Sequence, residues 1–148
     1  MKASDLFVKC LEAEGVTKIF GIPGEENADL MISLKKSKIE FVLCRHEQAA
    51  AFMADVYGRL TGKAGVCLAT LGPGVTNLMT GLADANMDRA PVVAIIGQGS
   101  TERLHKESHQ IMDSISMVAP ISKWAQTILS AKNVTEVVRK AFKVADTE

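Results

Sequence analysis

Phe41-Val-Leu-Cys-Arg-His-Glu47-Gln-Ala-Ala-Ala-Phe-Met-Ala-Asp-Val-Tyr-Gly58 passes from an apolar run into a stretch rich in small residues. The first part reads as a strand and the second as a helix. A single carboxylate, Glu47, stands where one becomes the other. In an open α/β sheet, ligands collect at the carboxyl ends of strands, which puts Glu47 where chemistry is done. Position alone also fits a plainer role, because acids are favoured in the first turn of a helix by its dipole.

The same alternation extends on both sides. Upstream, residues 3–14 carry Leu6, Phe7, Cys10 and Leu11 at helical spacing, and Gly15 ends that helix. Val16 to Phe20 reads as a short buried strand, and Gly21-Ile-Pro-Gly24 as the turn that follows it. A helix is expected over 27–36 and a strand over 39–44, before the helix 46–61 that Gly62 closes. Downstream, 64–70 reads as a strand, Gly72-Pro-Gly74 as a turn and 75–87 as a helix. Pro91 to Ile96 is almost purely apolar, as suits a strand covered on both faces. A short helix is expected near 109–117, a strand over 121–127 and a final helix over 134–144 with Val134, Val137, Val138 and Phe142 inward. Strands separated by helices, with glycine turns after several of them, imply an α/β fold: a doubly wound parallel sheet with helices on both faces.

The chain has 148 residues, the size of one domain, and 47% of them are apolar, which is enough for a substantial core. Lysine plus arginine balance aspartate plus glutamate at 17 each, so no charge surplus points to nucleic acid. There is no 18-residue apolar run to span a membrane. The amino terminus lacks a signal-peptide apolar core. Cys10, Cys44 and Cys67 are far apart, form no CxxC pair and are odd in number. They read as buried free thiols in a reducing compartment, and the expected location is cytoplasmic. The chain stops at Asp146-Thr-Glu148, inside or just after a helix, which suggests a domain cut from a longer chain.

Three motifs compete for function. Gly72-Pro-Gly-Val-Thr-Asn77 follows a strand and opens a helix like a dinucleotide fingerprint, but the third glycine is Asn77. The next strand ends Ile95-Ile-Gly-Gln98, without the acid that a ribose would need. His105 and His109 are four apart, yet two histidines alone do not make a metal site. The third signal is a pair of small-residue stripes. Ala50, Ala54 and Gly58 share one helical face, and Asn77, Gly81 and Ala85 share another. Such stripes let backbones approach closely, either within one domain or across a subunit boundary. The second option would place Glu47 at a seam, partly shielded from water.

Phe20-Gly-Ile-Pro-Gly24, Arg45-His-Glu-Gln-Ala-Ala-Ala-Phe-Met-Ala54, Gly58-Arg-Leu-Thr-Gly62, Gly72-Pro-Gly-Val-Thr-Asn77 and Pro91-Val-Val-Ala-Ile95 follow one another in a specific order. With Ser108-His-Gln-Ile-Met-Asp113 and Pro120-Ile-Ser-Lys-Trp124, they resemble the N-terminal pyrimidine-binding domain of thiamine-diphosphate-dependent enzymes, and most closely acetolactate synthase. The resemblance runs from about residue 3 to 145.

The resemblance implies that residues 1–148 are one pyrimidine-binding domain, the first of three. The cofactor would be thiamine diphosphate, bound between this domain and the diphosphate-binding domain of a neighbouring subunit in a homodimer or higher homo-oligomer. Magnesium would be held by that other domain, since its ligand motif is absent here. Glu47 matches the glutamate that hydrogen-bonds the aminopyrimidine nitrogen and promotes the imino tautomer, so that the thiazolium carbon can be deprotonated and attack a 2-oxo acid such as pyruvate. Gly21, Pro23 and Gly24 match the turn lining the pyrimidine pocket. Pro73, Gly74 and Asn77 match the loop and helix start beside the ring. Gln110 matches a glutamine near the substrate end. Glu25-Glu26 departs from the small or Ala-Lys residues usual in acetolactate synthases, and carboxylates facing the site would repel an anionic substrate. Two alternatives stand beside this reading: the pyrimidine-binding subunit of a split 2-oxo acid decarboxylase, and a non-catalytic assembly remnant.

Overall fold

A computed structural model describes residues 1–104, 106 and 108–147. Helix α1 (Ala3–Ala13) leads through Gly15, whose φ of +79° suits a residue without a Cβ, to strand β1 (Lys18–Gly21). A 3-10 turn (Glu25–Asn27) and α2 (Ala28–Leu34) connect to β2 (Glu40–Leu43). Helix α3 (Glu47–Thr61) ends at Gly62, in the left-handed conformation at φ +66°. Then come β3 (Gly65–Ala69), α4 (Pro73–Met87), β4 (Val92–Ile96), α5 (Ser114–Val118) and α6 (Val134–Ala145).

The four strands form one all-parallel sheet in the order β2-β1-β3-β4. Strand β3 is buried along its whole length and sends alternate side chains to two cores. Val66 and Leu68 join Ile19 with Val8 and Leu11 of α1, Leu34 of α2 and Val134, Val138 and Phe142 of α6. Cys67 and Ala69 join Ala50, Ala51 and Ala54 of α3 and Leu78 and Leu82 of α4 on the other face. Helices therefore cover both faces, as the alternation in sequence predicts.

The two faces are packed by different means. The first holds large side chains, each worth about 1.5–3 kcal/mol on full burial. The second holds alanines and gains instead from close approach. A Cβ on Gly65 would lie 1.9 Å from the Ala54 carbonyl oxygen, one on Gly58 2.4 Å from the Pro91 carbonyl oxygen, and one on Gly81 2.5 Å from Ala51 Cβ. Both small-residue stripes are thus consumed inside the chain.

Three sequence expectations are corrected. Strand β4 is half-buried at every residue, not covered on both faces. It borders a cavity of about 1040 Å³ lined also by α1, α6 and parts of residues 97–129. Residues 121–127 are not a strand, because that segment pairs with no described strand; a 3-10 turn spans Ala119–Ile121 instead. The helix expected near 109–117 is the shorter α5, capped by Asp113, whose carboxylate accepts from Ser116 N–H at 3.0 Å and from Ser116 Oγ at 2.6 Å.

Candidate active site

The crossover after β1 runs to β2 on one side, whereas that after β3 runs to β4 on the other. The switch point of the sheet therefore lies between the carboxyl ends of β1 and β3, where an open α/β sheet leaves a crevice. Both chain segments leaving it are shaped by glycine. A Cβ on Gly24 would sit 2.2 Å from Thr70 Cγ2, and one on Gly74 would sit 3.1 Å from Thr70 Oγ1. Gly21 is part of β1 itself, and a Cβ there would meet the Leu68 carbonyl oxygen at 2.4 Å. Its lack of a side chain is thus accounted for by the neighbouring strand. Pro23 is exposed between them.

Glu47 reaches this crevice from the first turn of α3. It is not the helix cap. His46 caps α3, its Nδ1 accepting from Gln48 N–H at 3.1 Å. The Glu47 carboxylate instead crosses to α4, where Asn77 Nδ2 donates to Oε2 at 2.9 Å. Its other oxygen, Oε1, lies 3.6 Å from where a Cβ on Gly74 would be. Both side chains are half-buried. The result is a carboxylate with one oxygen fixed by an amide and the other facing the glycine start of α4.

Pro73 occupies the first turn of α4, where its missing N–H costs nothing. Gly72 before it has φ +56°, and a Cβ on it would lie 2.6 Å from the Gln110 carbonyl oxygen. Gln110 is thereby held against the entry to α4, with its own φ at +57° and its residue exposed. A left-handed non-glycine residue costs on the order of 1–3 kcal/mol, so this loop conformation is imposed by its contacts.

The structure thus brings Gly24, Glu47, Gly74 and Asn77 together around Thr70, with Pro73 and Gln110 at the rim. Thr70 was missed by the sequence reading, because a threonine ending a strand carries no signal of its own. Glu26 was read only as a departure. It is half-buried, and its Cβ lies 3.6 Å from where a Cβ on Gly97 would be; Gly97 in turn abuts Thr70. Glu25 is exposed. His105 lies outside the described residues, so its pairing with His109 has no structural reading; His109 is exposed. None of the described helices is long and apolar enough to cross a membrane.

A carboxylate oriented by an amide, beside backbone cleared of side chains, can bind a flat heterocycle edge-on and exchange a proton with a ring nitrogen. Comparison with known proteins accords with that geometry. Residues 1–117 match the family described as thiamine pyrophosphate enzyme, N-terminal TPP binding domain. The chain is 46% identical over 143 residues to the catabolic acetolactate synthase of Raoultella terrigena, covering 97% of this chain and 26% of that protein. It is 43% identical to the acetolactate synthase of Bacillus subtilis, covering 97% of this chain and 25% of the relative. It is 42% identical to a probable acetolactate synthase large subunit of Methanocaldococcus jannaschii, covering 99% and 25% respectively. The chain spans about a quarter of the length of these curated relatives. With the family matched over most of its length and the site in the crevice between β1 and β3, the chain belongs to the N-terminal thiamine-pyrophosphate-binding domains of thiamine pyrophosphate enzymes.

Proposed function

We propose that this chain supplies the aminopyrimidine-binding half of the active site of an acetolactate-synthase-like carboligase, which decarboxylates a 2-oxo acid such as pyruvate and joins the remainder to a second carbonyl compound. The observation that carries the reading is the Glu47 carboxylate, held at 2.9 Å by Asn77 and facing Gly74. The residues present suit thiamine diphosphate: Gly24 and Gly74 bring bare backbone up to Thr70 beside the Glu47 carboxylate, a Cβ on them lying 2.2 Å and 3.1 Å from the threonine side chain. When bound, the cofactor supplies a carbon nucleophile and an electron sink for decarboxylation.

This chain's own contribution is proton management. Glu47 would hydrogen-bond a ring nitrogen of the aminopyrimidine and exchange a proton with it. Asn77 holds one carboxylate oxygen at 2.9 Å across the contact between α3 and α4. Gly21, Pro23, Gly24, Pro73 and Gly74 would shape the pocket, with Gln110 toward the substrate. The diphosphate and its magnesium are assigned to a diphosphate-binding domain of a neighbouring subunit in a homo-oligomer. Three free cysteines, two of them buried, suit the reducing cytoplasm.

The test is hydrogen–deuterium exchange at the thiazolium carbon. In protein assembled with the diphosphate-binding domain, Glu47→Gln should slow exchange roughly 100-fold or more, the scale of a lost acid–base group. Thermal melting should hardly move, since His46 and not Glu47 caps α3. The 148-residue chain alone should leave exchange at its rate in free solution. Unchanged exchange in a well-folded Glu47→Gln protein would refute the role.

A further inference from the structure

We infer that Thr70 is a further cofactor-binding residue, whose hydroxyl hydrogen-bonds the polar edge of the aminopyrimidine beside Glu47. This rests on the carboligase reading above. Thr70 is the first residue beyond β3, at the switch point of the sheet. Glycines from three separate segments press on it. A Cβ on Gly24 would lie 2.2 Å from its Cγ2, one on Gly97 3.3 Å from its Cα and one on Gly74 3.1 Å from its Oγ1.

These contacts fix which way the side chain points. The methyl group takes the side facing Gly24, while Oγ1 stays 3.8 Å from the same Cβ position. A β-branched side chain has few χ1 choices, so the hydroxyl is turned toward Gly74. The Cβ position at Gly74 also lies 3.6 Å from Glu47 Oε1, the carboxylate oxygen that Asn77 does not hold. The hydroxyl and the free carboxylate oxygen thus border one spot at the start of α4.

The hydroxyl is idle there. Thr61 Oγ1 donates to the Tyr57 carbonyl oxygen at 2.7 Å and Thr76 Oγ1 to that of Pro73 at 2.9 Å, but Thr70 Oγ1 makes no hydrogen bond among the described residues. Thr61 and Thr76 are satisfied by the turn of helix behind them, which a residue leaving a strand does not have. Thr70 is half-buried, yet Asn27 Nδ2 alone among the described residues is a fully buried side-chain polar atom without a partner. The Thr70 hydroxyl is therefore open to the crevice. A hydroxyl donates to a ring nitrogen or accepts from an amino group, and an aminopyrimidine offers both. One hydrogen bond, from Glu47, leaves a flat ring free to pivot in its plane. A second from Thr70 fixes its rotation.

The test is thiamine diphosphate binding to the complete enzyme at saturating magnesium, measured by isothermal titration calorimetry. Thr70→Val keeps the methyl group facing Gly24 and removes the hydroxyl. Its dissociation constant should rise roughly tenfold, the scale of one hydrogen bond, with the melting temperature of the cofactor-free protein hardly changed. Thr70→Ser keeps the hydroxyl and loses the methyl group, so it should melt lower and bind close to the wild type. Competition by inorganic pyrophosphate, which carries no ring, should be the same in the wild type and both variants. A valine variant with wild-type affinity, or a parallel loss of pyrophosphate affinity, overturns the inference and assigns Thr70 to packing. So does a serine variant weakened tenfold, and that result stands even where valine disturbs the fold. Each of these leaves the carboligase reading intact. A wild-type enzyme that binds no thiamine diphosphate overturns both.

Discussion

Cys67 lies at the centre of β3, fully buried, and burial pushes its thiol up to about 12, with the nearby Cys44 adding to the effect. Burial likewise raises the Cys44 thiol. At pH 8 only about one Cys67 in ten thousand would be thiolate, and the thiolate is the reactive form. In the folded chain iodoacetamide should therefore label partly exposed Cys10 alone, with all three cysteines labelled once urea unfolds it. The sign of the linkage is also fixed. Above the ordinary thiol value near 9 the unfolded chain loses this proton while the folded chain keeps it. Stability from Cys67 is full below pH 9 and declines as pH rises toward 12. Cys67→Ala should flatten that decline in urea titrations across this window. Fast labelling of Cys67 in native protein would mean that β3 is not the central, sealed strand described.

The pair α3 and α4 is the element that makes the site. Their outer ends are tied by Arg59, which reaches Asp55 at 2.7 Å in its own helix and Asp84 at 3.0 Å and Asp88 at 2.5 Å across the gap. Asp55 is 1% exposed, so this charge is buried only because it is paired. Their middle is set by Gly81, on the same face of α4 as Asn77. Replacing a helical glycine with alanine ordinarily gains about 1 kcal/mol. Here the new methyl would lie 2.5 Å from Ala51 Cβ and 3.1 Å from Phe52 N. Overpacking of this kind costs about 1–3 kcal/mol, so Gly81→Ala should be net destabilising by about 1 kcal/mol in urea unfolding. The bulkier Gly81→Val should lose more, and by parting the helices should also weaken cofactor binding by the assembled protein. A stabilising Gly81→Ala would show that the helices have room to spare.

At the scale of the whole molecule, the outward side of α3 becomes the surface to explain. Ala49, Met53, Val56 and Leu60 recur at helical spacing there and are exposed, Leu60 at 80%. Apolar stripes on water-facing helices commonly mark association surfaces. The proposed homo-oligomer is better served by this face than by the small-residue stripes, which are spent on internal packing. Leu60→Asp or Val56→Glu should move the assembled protein from dimer toward monomer in sedimentation velocity, with little change in melting temperature because neither side chain is in the core. A dimer that persists in both variants would place the interface elsewhere on the molecule.

The alternation of strands and helices was determined by the sequence itself. Apolar periodicity, Gly15 and Gly62 at helix ends, and Pro73 at a helix start are local facts, decided within a few residues of where they act. Glu47 was legible for the same reason, since it marks a strand-to-helix change. Only the tertiary structure decided what Glu47 touches, because Asn77 is 30 residues away and its amide could as well have faced solvent. Only the fold could give Glu26 a place beside Gly97 and Thr70, or Gly21 a reason in the backbone of β3. The apolar run 91–96 looked like a strand covered on both faces but borders an open cavity, and 121–127 looked like a strand but lacks a partner. In both cases side-chain pattern records an affinity for burial, whereas burial and pairing depend on which distant segments arrive to supply them.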